Sequence, residues 1–288
     1  HRRIGPVAAS DPARDTDWLR ICRRATSALR GILRDQPSTA ERVREVGTRG
    51  EGGDRTLLID AAAEDAVFAE LEALHTQGLR FTAVSEERGT VDFGSTDTLV
   101  VVDPIDGSVN AKRGLPHHSI SIAVADGGTM ADVLFGYVHD FGPGEEWVAR
   151  RGQGTWLDGR RLSTEPGERR SRDGKLELLG IESADPRWVR DAGDALAERA
   201  YRLRALGTIA STLCQVAAAR LDGMVTLRGC RSVDAAAGQL IVREAGGHVA
   251  FPRCATPLGA PLDLVPHSPL VAARTERGLE ELARIPVV

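Results

Sequence analysis

Apolar residues recur at helical spacing between Asp15 and Asp35, at Trp18, Ile21, Cys22, Ala25, Leu29, Ile32 and Leu33, which predicts an amphipathic helix. Arg44 to Arg55 is rich in glycine and charge and reads as a mobile loop or hairpin tip, after which helical spacing resumes over Thr56 to Leu74. Phe81 to Val84 and Leu99 to Val102 are short apolar runs with the character of buried strands. Ser119 to Ala125 and Asp132 to Val138 alternate as strands around a turn at Asp126-Gly127-Gly128, and Glu146 to Ala149 with Gly154 to Leu157 form a second pair. Thr164 to Gly174 is polar and charged, the best linker candidate. Beyond it strands and helices alternate: strands at Leu176 to Gly180, Tyr201 to Leu206, Met224 to Leu227 and His248 to Phe251, with helices at Pro186 to Ala200, Thr208 to Leu221 and Asp234 to Ala245. Gly246-Gly247 closes the last of these helices, and a terminal helix starts near Thr275. A meander followed by alternating units predicts an α+β part over residues 15–170 and an α/β part over 171–288, with 1–14 as an N-terminal tail.

Composition narrows the class. With 288 residues, 42% hydrophobic and 27% charged, the chain supports a sizeable core. A formal net charge of -4 gives no global attraction to nucleic acid or to a membrane surface, so neither is expected as a partner. No apolar run approaches the roughly 20 residues that cross a bilayer, and no apolar leader follows the initial His-Arg-Arg. Cys22, Cys214, Cys230 and Cys254 form no Cys-x-x-Cys pair, which fits reduced thiols and a cytoplasmic location.

The stretch with the most chemistry is Asp103-Pro104-Ile105-Asp106-Gly107-Ser108-Val109-Asn110. Two hard carboxylates at the end of a strand, with the Ile105 carbonyl between them, suit Mg²⁺. The plainer reading is an Asp-Pro turn in which Asp103 caps a short helix beginning at Pro104. Asp60, Glu86 and Asp234 also stand where elements begin or end, and each has its own plain reading, as a solvated helix residue, half of an exposed acidic pair and an N-cap. His117 and His118 suit a turn or core role, since no carboxylate-histidine spacing suggests zinc.

In order and spacing, Ser85-Glu86-Glu87, the stretch from Asp103 to Asn110, Asp234-Ala-Ala-Ala-Gly-Gln-Leu-Ile241 and Glu244-Ala-Gly-Gly247 resemble the inositol monophosphatase family of lithium-sensitive, Mg²⁺-dependent phosphatases. Weaker matches are Asp54 through Asp60, Gly136-Tyr-Val138 and Gly152-Gln-Gly-Thr-Trp-Leu-Asp-Gly159. The resemblance implies a layered αβαβα sandwich and two to three Mg²⁺ ions. Glu86, Asp103 and the Ile105 carbonyl would hold the first; Asp103, Asp106 and Asp234 would hold the second, where lithium competes in this family; Glu86, with Asp60 nearby, would hold a weaker third. Ser108 and Asp60 match the Thr/Asp pair that orients the attacking water, and the amides of Gly107 and Ser108 would hold phosphate oxygens. Gly207-Thr208-Ile209 matches the substrate loop.

Three departures bear on the substrate. Position 108 is Ser where the family has Thr, Val233 replaces a Trp, and the Glu that contacts a polyol in the inositol monophosphatases proper falls near Thr226. Arg228 and Arg231 are similar instead to the archaeal branch with combined fructose-bisphosphatase and inositol-monophosphatase activity, and an arginine fork suits a second phosphate or a polar sugar. The plain reading of both arginines is solvated surface. The resemblance thus implies a phosphomonoesterase for a small phosphorylated metabolite, with inositol 1-phosphate as default and fructose 1,6-bisphosphate as first rival. Nucleotide 3′-phosphates and histidinol phosphate fit less well, because Val109-Asn110-Ala111 does not resemble those branches. A catalytically silent binding protein on the same fold is the rival from another class, and a homodimer is the implied assembly.

Overall fold

The computed structural model describes residues 16–35, 45–49, 55–165 and 167–288. The expected tail at 1–14 and the tip of the Gly-rich hairpin lie outside these residues. The first helix forms as expected, α1 at Trp18–Asp35, and a short antiparallel hairpin of β1 (Glu45–Arg49) and β2 (Arg55–Leu57) leads into α2 (Leu58–Thr76). An eight-stranded sheet follows, built from β3 (Thr82–Ser85), β4 (Gly89–Asp92), β5 (Leu99–Asp106), β6 (Ser119–Ala125), β7 (Val133–Asp140), β8 (Glu145–Arg150), β9 (Gly154–Leu157) and β10 (Arg160–Arg161). Its order is β10-β9-β8-β7-β6-β5-β3-β4. Helix α3 (Ser108–Arg113) interrupts it after β5.

The second half contributes β11 (Leu176–Glu182), α4 (Pro186–Asp191), α5 (Gly193–Arg199), β12 (Ala200–Arg204), α6 (Ile209–Ala217), β13 (Gly223–Thr226), α7 (Ser232–Glu244), β14 (His248–Ala250), β15 (Val271–Ala273) and α8 (Glu276–Leu282). Its five strands run in the order β12-β11-β13-β15-β14. The expected helix from Pro186 to Ala200 is two helices, because Ala192 closes the first and the second opens on Gly193, a weak helix former. Strands β4, β10 and β15 escaped the sequence pattern, being two to four residues long with no alternation to read.

Alternation along the strands builds the layers. Val100 and Val102 of β5, with Ile120, Ile122 and Val124 of β6, face α1 and α2, while Val101 and Ala123 face α6 and α7. Small residues let α7 lie close on the large sheet: a Cβ at Gly136 would stand 2.8 Å from the Ala237 carbonyl oxygen. The five-stranded sheet covers α6 and α7 from the other side, and α4, α5 and α8 close its outer face through Trp188, Leu196 and Leu282. The result is the layered αβαβα sandwich.

Thr164 to Gly174 divides the two sheets but is pinned to the second: Arg169 N–H donates to Asp222 at 2.8 Å, and Arg170 pairs with Glu168 and Glu281 at 2.7 and 2.8 Å. The hydrophobic core containing α6 and α7 draws residues from both sides of this segment. Two weak motif fragments explain one another here. Glu244 accepts from the amides of Gly152 and Gly154, both at 2.8 Å, tying the end of α7 to the β8–β9 turn.

Candidate active site

Topology brings the acids together. β3 runs parallel to β5 with Ser85 opposite Val102, so Glu86 and Asp103 leave the same edge of the sheet side by side. Between Asp103 and Asp106 the β5–β6 register slips by one residue, a bulge at Pro104, which has no N–H to give to the ladder. The helix that the plainer reading started at Pro104 does not form. Asp103 instead accepts from Ile105 N–H at 2.9 Å, and the chain stays extended to Asp106. Gly107 then turns with φ 88°, and α3 begins at Ser108. Asp234 arrives from the first turn of α7, as its third residue and not as its N-cap; Arg231 holds the N-cap position.

Glu86, Asp103 and Asp234 each present an oxygen within 4.8 Å of the other two. Asp103 and Asp234 are buried and Glu86 is half-buried. Burial pushes Glu86 up to about 7, with Asp234 adding and Arg231 opposing. Burial raises Asp103 well above the usual carboxylate range, reinforced by Glu86, Asp106 and Asp234. Such mutual repulsion among hard oxygens is what a divalent cation relieves, so the donor set fits a metal.

Asp106 lies beside this trio and is held separately: Thr208 Oγ1 donates to its Oδ2 at 2.5 Å and Ala210 N–H at 2.7 Å, both from the start of α6. Burial and Asp234 nonetheless raise its pKa well above normal. Ile105 sits between the two aspartates. Asp60 occupies the first turn of α2, half-buried. Ser108 is half-buried at the first position of α3.

Gly107 explains how the phosphate-loop residues meet the second half of the chain. A Cβ there would come within 3.1 Å of both the Gly207 and His117 carbonyl oxygens. Asn110, on α3, donates from one Nδ2 to the carbonyls of His117 and Leu206, at 2.8 and 2.7 Å. His117 itself pairs with buried Asp140 at 3.1 Å, and His118 stacks on Phe141, consistent with turn and core roles.

The substrate-loop residues divide. Ile209 lines a cavity of about 490 Å³ with Arg228, Arg231 and Asp234, whereas the Thr208 hydroxyl is spent on Asp106 and the exposed Gly207 gives its N–H to Glu182 at 3.1 Å. Arg231 departs from the sequence reading. Its guanidinium meets Glu86 at 2.6 Å and Asp234 at 3.4 Å, so it serves the acidic cluster first, which fits neither the solvated-surface reading nor a fork for a phosphate distant from the acids. Arg228 lies on the far wall, its guanidinium over the Trp188 ring at 5.6 Å. Thr226, where a polyol-binding Glu was sought, is buried and bonded to the Arg228 carbonyl and Leu270 N–H. Arg253, which also lines the cavity, carried no sequence signal, standing in an irregular Phe-Pro-Arg-Cys segment.

The sequence model of the inositol monophosphatase family matches residues 17–285. The chain belongs to this family. It is 35% identical to the fructose-1,6-bisphosphatase/inositol-1-monophosphatase of Thermococcus kodakarensis over 237 residues, 81% of this chain and 83% of that one. It is 32% identical to the Nus factor SuhB of Escherichia coli K12 over 235 residues, covering 80% and 84%. A solved inositol monophosphatase–fructose 1,6 bisphosphatase superposes with a TM-score of 0.78 at 23% identity, covering 94% of this chain and all of that one. The Thermotoga maritima inositol monophosphatase gives 0.70 at 26% identity. The family member described here is a phosphatase that hydrolyses phosphate monoesters.

Proposed function

We propose that the protein is a Mg²⁺-dependent phosphomonoesterase for a small phosphorylated polyol or sugar, with inositol 1-phosphate as its default substrate. The carrying observation is the trio Glu86, Asp103 and Asp234, whose member Asp234 lines a cavity together with Arg228 and Arg253. Glu86, Asp103 and Asp234, with Asp106 and the Ile105 carbonyl beside them, would hold two to three ions. Bound there, the metal supplies Lewis acidity and a lowered pKa for the attacking water.

Around that chemistry the residues have separable tasks. Asp60 and Ser108 orient the water. The amides of Gly107 and Ser108 donate to a phosphate oxygen at the opening of α3. The start of α6 fixes Asp106 through Thr208 and Ala210, so that this carboxylate keeps one oxygen for a cation. Ile209 gives the substrate an apolar wall. Phosphate release from inositol 1-phosphate with Mg²⁺, and none in excess chelator, tests this reading; release that survives chelation sinks it.

A second reading, fructose 1,6-bisphosphate, is favoured by Arg228 and Arg253, exposed guanidiniums on the cavity wall beyond the acids. The archaeal relatives' names point the same way. The SuhB relatives raise the silent binding protein as a third; the retained acids speak against it, and wild-type phosphate release would exclude it. We further propose a cytoplasmic homodimer, for which light scattering showing only monomer at micromolar protein would be the contrary result.

A further inference from the structure

We infer that Glu182 is a positioning residue for the substrate loop, holding Gly207 and Ile209 in place against the acidic centre. The inference rests on the phosphatase reading above. Glu182 ends β11 and is only 3% exposed. Its hydrogen-bond partners are neutral donors: Leu206 N–H at 3.0 Å, Gly207 N–H at 3.1 Å and Thr212 Oγ1 at 2.6 Å. A buried carboxylate without a guanidinium or ammonium against it is costly, and several directed donors are what make it tolerable. All three donors come from one short segment, residues 206–212, so the charge is invested in the shape of that segment.

The same segment is gripped from its other side. Asp106 takes Thr208 Oγ1 and Ala210 N–H, and Asn110 holds the Leu206 carbonyl. Gly207 has φ 81°, and a Cβ there would meet Asn110 Nδ2 at 2.9 Å, so the loop passes between two anchors with no slack. Between the anchors Ile209 is left facing the cavity beside Asp234. Glu182 also consumes the Gly207 amide, which is therefore withheld from substrate. Ser183, next in the chain, lines the cavity, but the hydrogen bonds of the Glu182 carboxylate go to residues 206–212 and not to Glu86, Asp103 or Asp234, so its effect on substrate passes through the loop.

The test uses the full chain in two variants. E182Q keeps the size but sets an NH₂ against the loop amides; T212V removes one donor and leaves the carboxylate. Backbone hydrogen exchange over residues 205–213 should quicken in both, more in E182Q, without any need for activity. In kinetics with Mg²⁺, KM for inositol 1-phosphate should rise about tenfold in E182Q and less in T212V, with kcat and the Mg²⁺ concentration for half-activation moved less. Unchanged exchange over the loop, or a lower melting temperature with KM untouched, would overturn the inference. Absence of phosphate release in the wild type would sink the phosphatase reading alone, leaving the exchange result to decide Glu182.

Discussion

Two buried carboxylate sites flank the loop at residues 206–212, and they solve the same problem in opposite ways. At the edge of β3 and β5, Glu86, Asp103 and Asp234 crowd within 4.8 Å with one guanidinium, Arg231, among them. At the end of β11, Glu182 is held by amide and hydroxyl donors, with His117 near enough to favour its charged form. Burial lifts both sites, Glu182 to about 7 by desolvation, and Asp103 well above the usual carboxylate range by desolvation reinforced by its acidic neighbours. Burial alone therefore does not mark the catalytic centre. The distinguishing property is several carboxylates crowded against one another with a single guanidinium among them, against one carboxylate taken up by directed donors, which makes one site cation-seeking and the other a structural brace.

Removing a charge from the crowded site should have the largest effect. Asp103→Asn is expected to lower kcat by orders of magnitude, since under the proposed function this acid would be shared between metals. The same change should raise the melting temperature of the protein in chelator, because it relieves repulsion. Near-normal turnover, or a lower melting temperature in chelator, would break the contrast between the two sites.

The pH dependence of stability should differ with and without metal. In the metal-free protein Glu86, Asp103 and Asp106 titrate above their unfolded values, so the folded state binds more protons than the unfolded one. Stability must then fall as pH rises from about 4, where unfolded carboxylates titrate, through about 7, the level reached by Glu86. Adding Mg²⁺ at neutral pH should recover it. Melting curves that are flat from acid to neutral pH in chelator would contradict the crowded-acid picture.

Lithium should inhibit through Asp103, Asp106 and Asp234, because a monovalent ion at this site stabilises the leaving oxygen less than Mg²⁺ does. Inhibition kinetics that show no lithium effect would mean the second metal position is altered. The smallest effect is expected on the cavity's far wall. Arg228→Ala and Arg253→Ala should each raise KM for fructose 1,6-bisphosphate by up to about tenfold, and less for inositol 1-phosphate. Equal, small changes for both substrates would return these arginines to the solvated surface.

Much of this was legible in the chain. Apolar spacing located α1, α2, α6 and α7 and the long strands, because burying one face of a helix or sheet imposes a period that the residues record. The motifs at Glu86, Asp103 to Asn110 and Asp234 located the acids for a related reason: their spacing is tied to strand ends and a helix start. Tertiary structure decided what depends on partners far away in sequence. Pro104 sits in a bulge and not at the head of a helix because β6 pairs across it. Arg231 turned out to face Glu86, 145 residues away, and Thr208 to serve Asp106, 102 residues away. Glu182 carried no sequence signal at all, since an acid at the end of a strand reads the same whether it meets water or three donors. Local periodicity is written in one segment, but the neutralisation of a buried charge is settled between segments, and only the folded chain brings those together.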